Sequence, residues 1–202
     1  MTKRSTAKKE RDVQAALVCG EAYQRLAEKF IPMIGTIKEE SFQDMSNEVG
    51  NLVACATNLG FAIELYLKAI LSQLDLQVPF EHDLRSLYDR IPQPVRDIIV
   101  GVYDEALPDE VRQLHGRVSF TLAIGPAERP AWNDNTKESL ALPDVLARSR
   151  NLFESWRYIF ELSLPENSKY QFYKFEYVPL RCAAEAMRVE IRIRLYGEKG
   201  EA

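Results

Sequence analysis

The stretch GFAIELYLKAILSQL, residues 60–74, decides the fold, because it is apolar on almost every side of a helix. A helix of that kind lies in the middle of a bundle or at a subunit interface. It nevertheless carries Glu64 and Lys68 one helical turn apart, with the acid first, which is the favourable order. An unpaired charge inside a protein is costly. The sequence therefore predicts that neighbouring elements supply polar partners for this pair.

The stretch EHDLRSLYDRIP, residues 81–92, is expected to supply the first of these partners. His82 and Asp83 follow the central helix after a short connection, so they are predicted to reach back to it. Asp83 also suits the N-cap of a short helix that stops before Pro92. The predicted polar cluster consists of Glu64, Lys68, His82, Asp83, Arg157 and Glu161. Two alternatives remain for the same residues, a small anion or nucleotide pocket and a catalytic role.

Apolar residues spaced three and four apart predict that most of the chain is helical. The predicted fold class is all-α, an up-and-down helical bundle of about five to seven helices with a small strand-containing insertion. The predicted helices cover, approximately, residues 11–32, 44–74, 84–90, 94–106, 108–114, 143–164 and 180–196. Residues 1–10 are predicted to be a flexible basic N-terminus, and residues 11–196 a single domain.

Three segments carry a strand-like pattern. RVSFTLAIG, residues 117–125, alternates with a period of two, and a loop rich in proline and asparagine follows it. Residues 116–138 are therefore predicted to be an insertion that covers part of the bundle. Residues 170–178 are ambiguous and could form a short strand. Residues 188–196 alternate too, but we predict a helix there, because Pro179 fits its start and Gly197 its stop.

Composition excludes several classes of protein. The 202 residues include three distant cysteines without a CxxC motif and two histidines without a partner at ligand spacing, so no disulfide framework, metal site or cofactor is expected. Glycine-rich phosphate loops and the HExxH and GxSxG motifs are missing from the sequence. We expect a cytoplasmic protein with no membrane partner, because neither a signal peptide nor an uninterrupted apolar span is evident.

Basic residues crowd both ends of the sequence. Five lie within residues 3–11, where Glu10 is the only acid. Near the C-terminus, a possible nucleic-acid surface is formed by Arg181, Arg188, Arg192 and Arg194. Such a surface attracts phosphates and binds in a salt-dependent way. The alternative is a solvated tail and a solvated helix face, and the net charge of −4 argues weakly against a protein that coats duplexes.

The order of these motifs resembles the HEPN superfamily of helical bundles. The resemblance rests on AIELYLKAIL at residues 62–71, HDLRSLYDRIP at 82–92 and RSRNLFESWRYIFE at 148–161. It implies an up-and-down bundle that pairs as a homodimer. It also implies a place in toxin–antitoxin, stress or defence systems, either as an RNase or as a module that binds a partner protein, a nucleotide or RNA.

One feature of the catalytic members is missing, an Arg-x4–6-His motif on a late helix. Arg112 precedes His115 by only three residues, and no histidine follows Arg148, Arg150 or Arg157. Arginine alone cannot exchange protons near neutral pH. We therefore expect a non-catalytic module. The alternative is a metal-independent ribonuclease with a displaced active site, in which His82 acts with Arg85 or Arg157, or His115 with Arg112 or Arg117.

Overall fold

A computed structural model of the chain describes residues 3–31, 42–113, 120–124, 138–159 and 171–197. The eight helices in these residues are α1 (Lys3–Phe30), α2 (Phe42–Gln73), α3 (Leu84–Asp89), α4 (Gln93–Ala106), α5 (Asp109–Gln113), α6 (Leu142–Arg148), α7 (Leu152–Arg157) and α8 (Tyr177–Tyr196). The two strands are β1 (Phe120–Ile124) and β2 (Gln171–Phe175). The predicted all-α helical bundle is thus confirmed.

Helix α2 is the centre of the bundle, as its apolar circumference predicts. It packs against α1, α3, α7 and α8. Its side chains with no exposed surface include Leu59, Ile63, Tyr66, Leu67, Ile70 and Leu71. Burying each large apolar side chain contributes about 1.5–3 kcal/mol relative to leaving it exposed. The central helix therefore carries much of the hydrophobic stabilisation.

Helices α1 and α2 run antiparallel and approach closely at Gly20. The Lys9 ammonium reaches the carbonyl of Gln73 at 3.1 Å, and the Tyr66 hydroxyl donates to Gln24 Oε1 at 3.0 Å. A Cβ atom at position 20 would overlap the Tyr66 ring. Burial raises the pKa of the Tyr66 phenol, so this group stays a neutral donor. Gly20 leaves space for the Tyr66 ring because it has no side chain.

The first helix begins earlier than predicted. Residues 3–10 were expected to form a flexible start, but they belong to α1. Alanine, lysine, glutamate and arginine in this segment favour helix. Lys9 also contacts Asp75 Oδ1 at 2.5 Å, which joins the start of α1 to the end of α2. Residues 3–10 have no apolar stripe, so helical periodicity could not predict this part of α1.

The helix predicted over residues 143–164 is two short helices, α6 and α7. A turn at residues 149–151 separates them, and the carbonyl of Arg150 in this turn accepts a hydrogen bond from the Leu84 amide at 2.8 Å. This hydrogen bond joins the turn to the first residue of α3. Helix α7 then lies against Gly60, where a Cβ atom would be 3.0 Å from the Phe153 nitrogen.

Two of the segments with a strand-like pattern contain the strands of a two-stranded ribbon. Strands β1 and β2 are antiparallel, with Phe120 opposite Phe175 and Ile124 opposite Gln171. Of the predicted insertion at 116–138, the structure describes residues 120–124 and 138. The rest of the insertion, including Trp132, and also His115 before it, lie outside the described residues. The ambiguous 170–178 segment is a strand over 171–175 and then opens α8.

Helix α8 confirms the helical interpretation of the last segment. Gly197 follows it with a φ of 79°, and its amide donates to the carbonyl of Ile193 at 2.8 Å. This conformation favours glycine. The arginines that suggested a strand by alternation instead lie along one helix.

Residues 47–73, which lie within α2, are long and apolar enough to cross a membrane, by length and composition alone. Within this stretch, 61% of the most apolar window is buried inside the bundle. A core helix has the same composition as a membrane span, so the apolarity of α2 is explained by its packing against its four neighbours.

We expect Gly20→Ala to lower the free energy of unfolding by about 1–3 kcal/mol, because the added methyl group meets the buried Tyr66 ring. The control is Gly101→Ala, at an exposed site in α4 where a Cβ atom meets nothing within 4 Å. This control should gain up to about 1 kcal/mol from helix propensity. Thermal or urea unfolding measures both. Equal shifts of the two variants would contradict the close approach of α1 to α2.

Candidate functional site

The Glu64 carboxylate is the polar centre of the bundle. Its side chain is only 3% exposed, on the buried middle of α2. Oε1 accepts from Lys68 Nζ at 2.7 Å, and both carboxylate oxygens lie 3.0 Å from His82 Nδ1. The structure therefore brings together three residues of the predicted polar cluster. The carboxylate has a partner on its own helix and one on the connection to α3.

Asp83 does not reach back to Glu64, contrary to the sequence prediction. It caps α3 by accepting from the Ser86 amide at 3.0 Å, and it accepts from Arg150 Nη2 at 2.6 Å. Burial alone would raise the pKa of Asp83, but the Ser86 and Arg150 hydrogen bonds lower it below its usual range. Asp83 therefore joins α3 to the α6–α7 turn, which the predicted set did not include.

Arg157 also lies apart from the carboxylate. Its guanidinium carbon is 5.5 Å from the centre of the Phe153 ring and 5.1 Å from that of Tyr158. The Phe153 ring is in turn 6.1 Å from His82. Arg157 thus reaches the neighbourhood of His82 across an aromatic ring and not through an ion pair. Its predicted partner, Glu161, lies outside the described residues.

A second buried carboxylate, Glu176, anchors the other side of the α6–α7 turn. Arg148 holds it with two hydrogen bonds of 2.9 Å, from Nε to Oε2 and from Nη2 to Oε1. Burial opposes the charge on Arg148, but its bonds to Glu176 raise its pKa overall. Glu138 contacts both Arg148 and Lys174. The turn is therefore fixed by bidentate pairing, which is geometrically specific.

A cleft of about 270 Å³ opens beside this turn. Its lining combines three basic side chains, several hydroxyl and amide groups and two aromatic rings: Arg148, Ser149, Arg150, Asn151, Leu152, Ser155, Trp156, Tyr173 and Lys174. Arg150 is 60% exposed, so it presents its guanidinium to solvent even while it pairs with Asp83. Arg148 and Lys174 are paired with Glu176 and Glu138, so Arg150, beside the polar donors of the lining, is the basic group that a phosphate or another anion could reach.

The C-terminal arginines are mostly occupied by acids. Arg188 and Arg192 both donate to Glu21 Oε1 on α1, at 3.3 and 2.7 Å. Arg194 pairs with the buried Glu190 on its own helix. Arg181 is exposed on α8. Neutralisation by these acids weakens the predicted nucleic-acid surface, because a phosphate would have to displace a carboxylate.

A polar cavity of about 260 Å³ lies between α1 and α8 next to these pairs. Its lining mixes three acids with three arginines and one amide: Glu21, Gln24, Arg25, Glu28, Glu185, Arg188 and Arg192. Equal numbers of opposite charges in one place stabilise the contact between two helices, and they give the cavity no preference for an anion.

Thiol chemistry and metal binding receive no support from the described residues. Burial, and to a smaller extent the Glu28 charge, raises the pKa of Cys55 to about 12, so this thiol stays protonated. Burial likewise raises the pKa of Cys182. In the described part of the chain, no group of three histidine, cysteine or carboxylate side chains is placed to hold a metal ion.

Sequence reasoning missed Arg148, Arg150, Lys174 and Glu176. Arg148 and Glu176 are 28 residues apart, and Arg150 and Asp83 are 67 residues apart. No helical spacing connects residues at such separations. The proline and acid that open α6 marked a helix start, but nothing in the sequence marked the turn after Arg148.

Comparison with known proteins returns no relative: no family model, no curated protein and no solved structure matches this chain.

We expect Glu64→Gln to lower the free energy of unfolding by about 1–3 kcal/mol, because a neutral amide leaves Lys68 without its charge partner. The matched control is Asp97→Asn, on the exposed face of α4, which should change stability by less than about 0.5 kcal/mol. Urea unfolding at neutral pH compares them. If Glu64→Gln unfolded like the control, the carboxylate would not be organising the bundle.

Proposed function

We propose that this chain is a non-catalytic helical module, similar to HEPN proteins, that forms a homodimer and binds a nucleotide or RNA in the cleft beside the α6–α7 turn. One observation carries the binding part, the solvated Arg150 guanidinium in a cleft that is also lined by the Trp156 and Tyr173 side chains. The dimer, and a role in a stress or defence system, rest on the sequence resemblance. A partner protein is the alternative ligand.

The pairing of the buried carboxylates and the arginines favours ligand binding over catalysis. Glu64 and Glu176 are both buried and both accept hydrogen bonds from basic side chains of the same chain. Both carboxylates are therefore engaged by partners within the chain and have almost no surface that a substrate could contact. Arginine stays protonated at neutral pH, so Arg148 and Arg150 bring positive charge to the cleft without acting as proton-transfer groups.

Arg150→Gln tests the cleft. We expect it to weaken binding of a short fluorescent RNA, or of ADP, by about five- to tenfold, because one charged hydrogen bond to phosphate is lost. The control is Arg90→Gln at the end of α3, another exposed arginine in an ion pair, here with Glu81. Fluorescence anisotropy measures RNA, equilibrium dialysis measures ADP, and sedimentation equilibrium gives the oligomeric state.

Three results of that experiment would count against the proposal. Equal losses for the two variants would mean that the cleft is not the site. Binding of neither RNA nor ADP by the folded wild-type protein would remove the nucleotide part and leave a protein ligand. A monomer at micromolar concentration would remove the dimer.

The ribonuclease alternative is favoured by one observation at His82. Its Nδ1 faces Glu64, no bond of Nε2 is formed within the described residues, and its side chain is 39% exposed. A carboxylate behind one ring nitrogen fixes the tautomer of the imidazole and leaves the other nitrogen for proton transfer. Arg157, across the Phe153 ring, would be the cation for the phosphate.

His82→Ala tests this alternative. If the chain is a ribonuclease of this kind, wild-type protein cleaves RNA in EDTA, and His82→Ala cleaves at least about 100-fold more slowly, because general acid–base catalysis contributes factors of that size. On our main proposal the wild-type protein leaves RNA intact. Gel analysis of labelled RNA measures both. Cleavage retained by both His82→Ala and Arg157→Ala would exclude this pair as the active site.

A further inference from the structure

Three helix ends meet at one end of the bundle, which we call the Gln73 end. Lys9, near the start of α1, contacts the carbonyl of Gln73 at the end of α2. Gln73 Nε2 in turn donates to the carbonyl of Ile191, in the last turns of α8, at 3.2 Å. The α2–α3 connection leaves the bundle at the same place.

Large apolar side chains are exposed in the segments that leave the Gln73 end. Nine such side chains are exposed in the described residues, and five of them belong to these segments: Leu76, Val78, Phe80, Ile193 and Tyr196. Phe80 is fully exposed, at 101% of its reference surface. Covering a solvated phenyl ring with an apolar phase is favourable, because it removes apolar surface from water. This concentration points to a docking surface.

The connection that carries Leu76, Val78 and Phe80 is held in place at both ends. Asp75, with a φ of 58°, turns the chain out of α2, and the Leu76 amide donates to the carbonyl of Leu71 at 3.0 Å. At the other end, Glu81 accepts from Ser86 Oγ at 2.9 Å and from Arg90 Nε at 3.0 Å. The three apolar side chains occupy alternate positions of an exposed segment that is anchored on both sides.

The charge beside this segment is basic. Residues 3–11 of α1 contain five basic residues and one acid, and Lys9 places this helix start at the Gln73 end. The two acids of the connection are paired, Asp75 with Lys9 and Glu81 with Arg90, so the net positive charge comes from the other basic residues of 3–11. The matching surface is therefore apolar and anionic. A second copy of the chain would oppose two basic helix starts, which is unfavourable.

We propose that the Gln73 end docks on the surface of an anionic phospholipid bilayer. The projecting Leu76, Val78 and Phe80 side chains enter the boundary between headgroups and acyl chains, and the basic start of α1 lies against the lipid phosphates. Apolar insertion and electrostatic attraction together set the strength of such binding. The proposal departs from the sequence-based expectation of no membrane partner, which weighed only a spanning helix and a signal peptide.

Vesicle sedimentation tests the proposal with the full chain and three variants. Wild-type protein should sediment with phosphatidylcholine vesicles that contain phosphatidylserine at about one third of the lipid. Phe80→Ala should bind roughly tenfold more weakly, because one inserted ring is lost. The double change Lys3→Gln and Lys8→Gln should also bind roughly tenfold or more weakly, and raised salt should act in the same direction.

The control is Leu26→Ala, another large apolar side chain that is exposed (41%), 17 residues beyond Lys9 on α1 and about 25 Å along the helix. It should bind vesicles as the wild type does. Phe80 is fully exposed, so Phe80→Ala should keep the wild-type melting temperature, which circular dichroism checks.

Four results would overturn the proposal. The first is no sedimentation of the wild type with anionic vesicles, and the second is equal binding to pure phosphatidylcholine. The third is equal losses for Phe80→Ala and Leu26→Ala. The fourth is self-association without lipid that Phe80→Ala abolishes, which would assign the surface to a second copy of the chain.

Discussion

The structure depends on one buried carboxylate, that of Glu64. It lies on α2, the helix that packs against α1, α3, α7 and α8, so its charge must be compensated where water is nearly excluded. Lys68 supplies one partner from the same helix, and His82 supplies the other from the connection to α3. The contact with His82 holds the chain against α2 directly before Asp83, and so it determines where the next helix begins.

That placement has consequences along the chain. Asp83 caps α3 and also binds Arg150, while the Leu84 amide bonds to the carbonyl of Arg150. These contacts fix the turn between α6 and α7, on whose other side Arg148 pairs with the buried Glu176. The basic cleft is therefore built at a junction that hydrogen bonds hold from two directions. Binding groups placed in this way lose little freedom when a ligand arrives.

The fold was predictable from the sequence because apolar spacing and capping residues indicate the individual helices. The apolar circumference of α2 predicted a central helix, Asp83 predicted the start of α3, and Gly197 predicted the end of α8. The candidate site was predictable only where its residues follow each other closely, as Glu64, Lys68 and His82 do. Arg148 and Glu176, or Arg150 and Asp83, meet only after the chain has folded, so spacing could not reveal them. The turn at residues 149–151 was missed for the same reason, because a contact with Leu84 and not a local helix breaker creates it.

The basic side chains of this molecule differ in whether their charge is available to a ligand. Three arginines of α8 are paired with acids, Arg188 and Arg192 with Glu21 of α1 and Arg194 with Glu190 of α8, so their charge is compensated within the chain. In the cleft, Arg150 is paired yet mostly solvated, and an exposed pair of this kind is worth at most about 1 kcal/mol. A ligand phosphate can therefore replace Asp83 at small cost. By contrast, displacing Glu176 from Arg148 would strand a buried carboxylate, at a cost of several kcal/mol. In this cleft, Arg150 is therefore available to bind a ligand. Arg148 is not, and its role is to hold the structure of the cleft together.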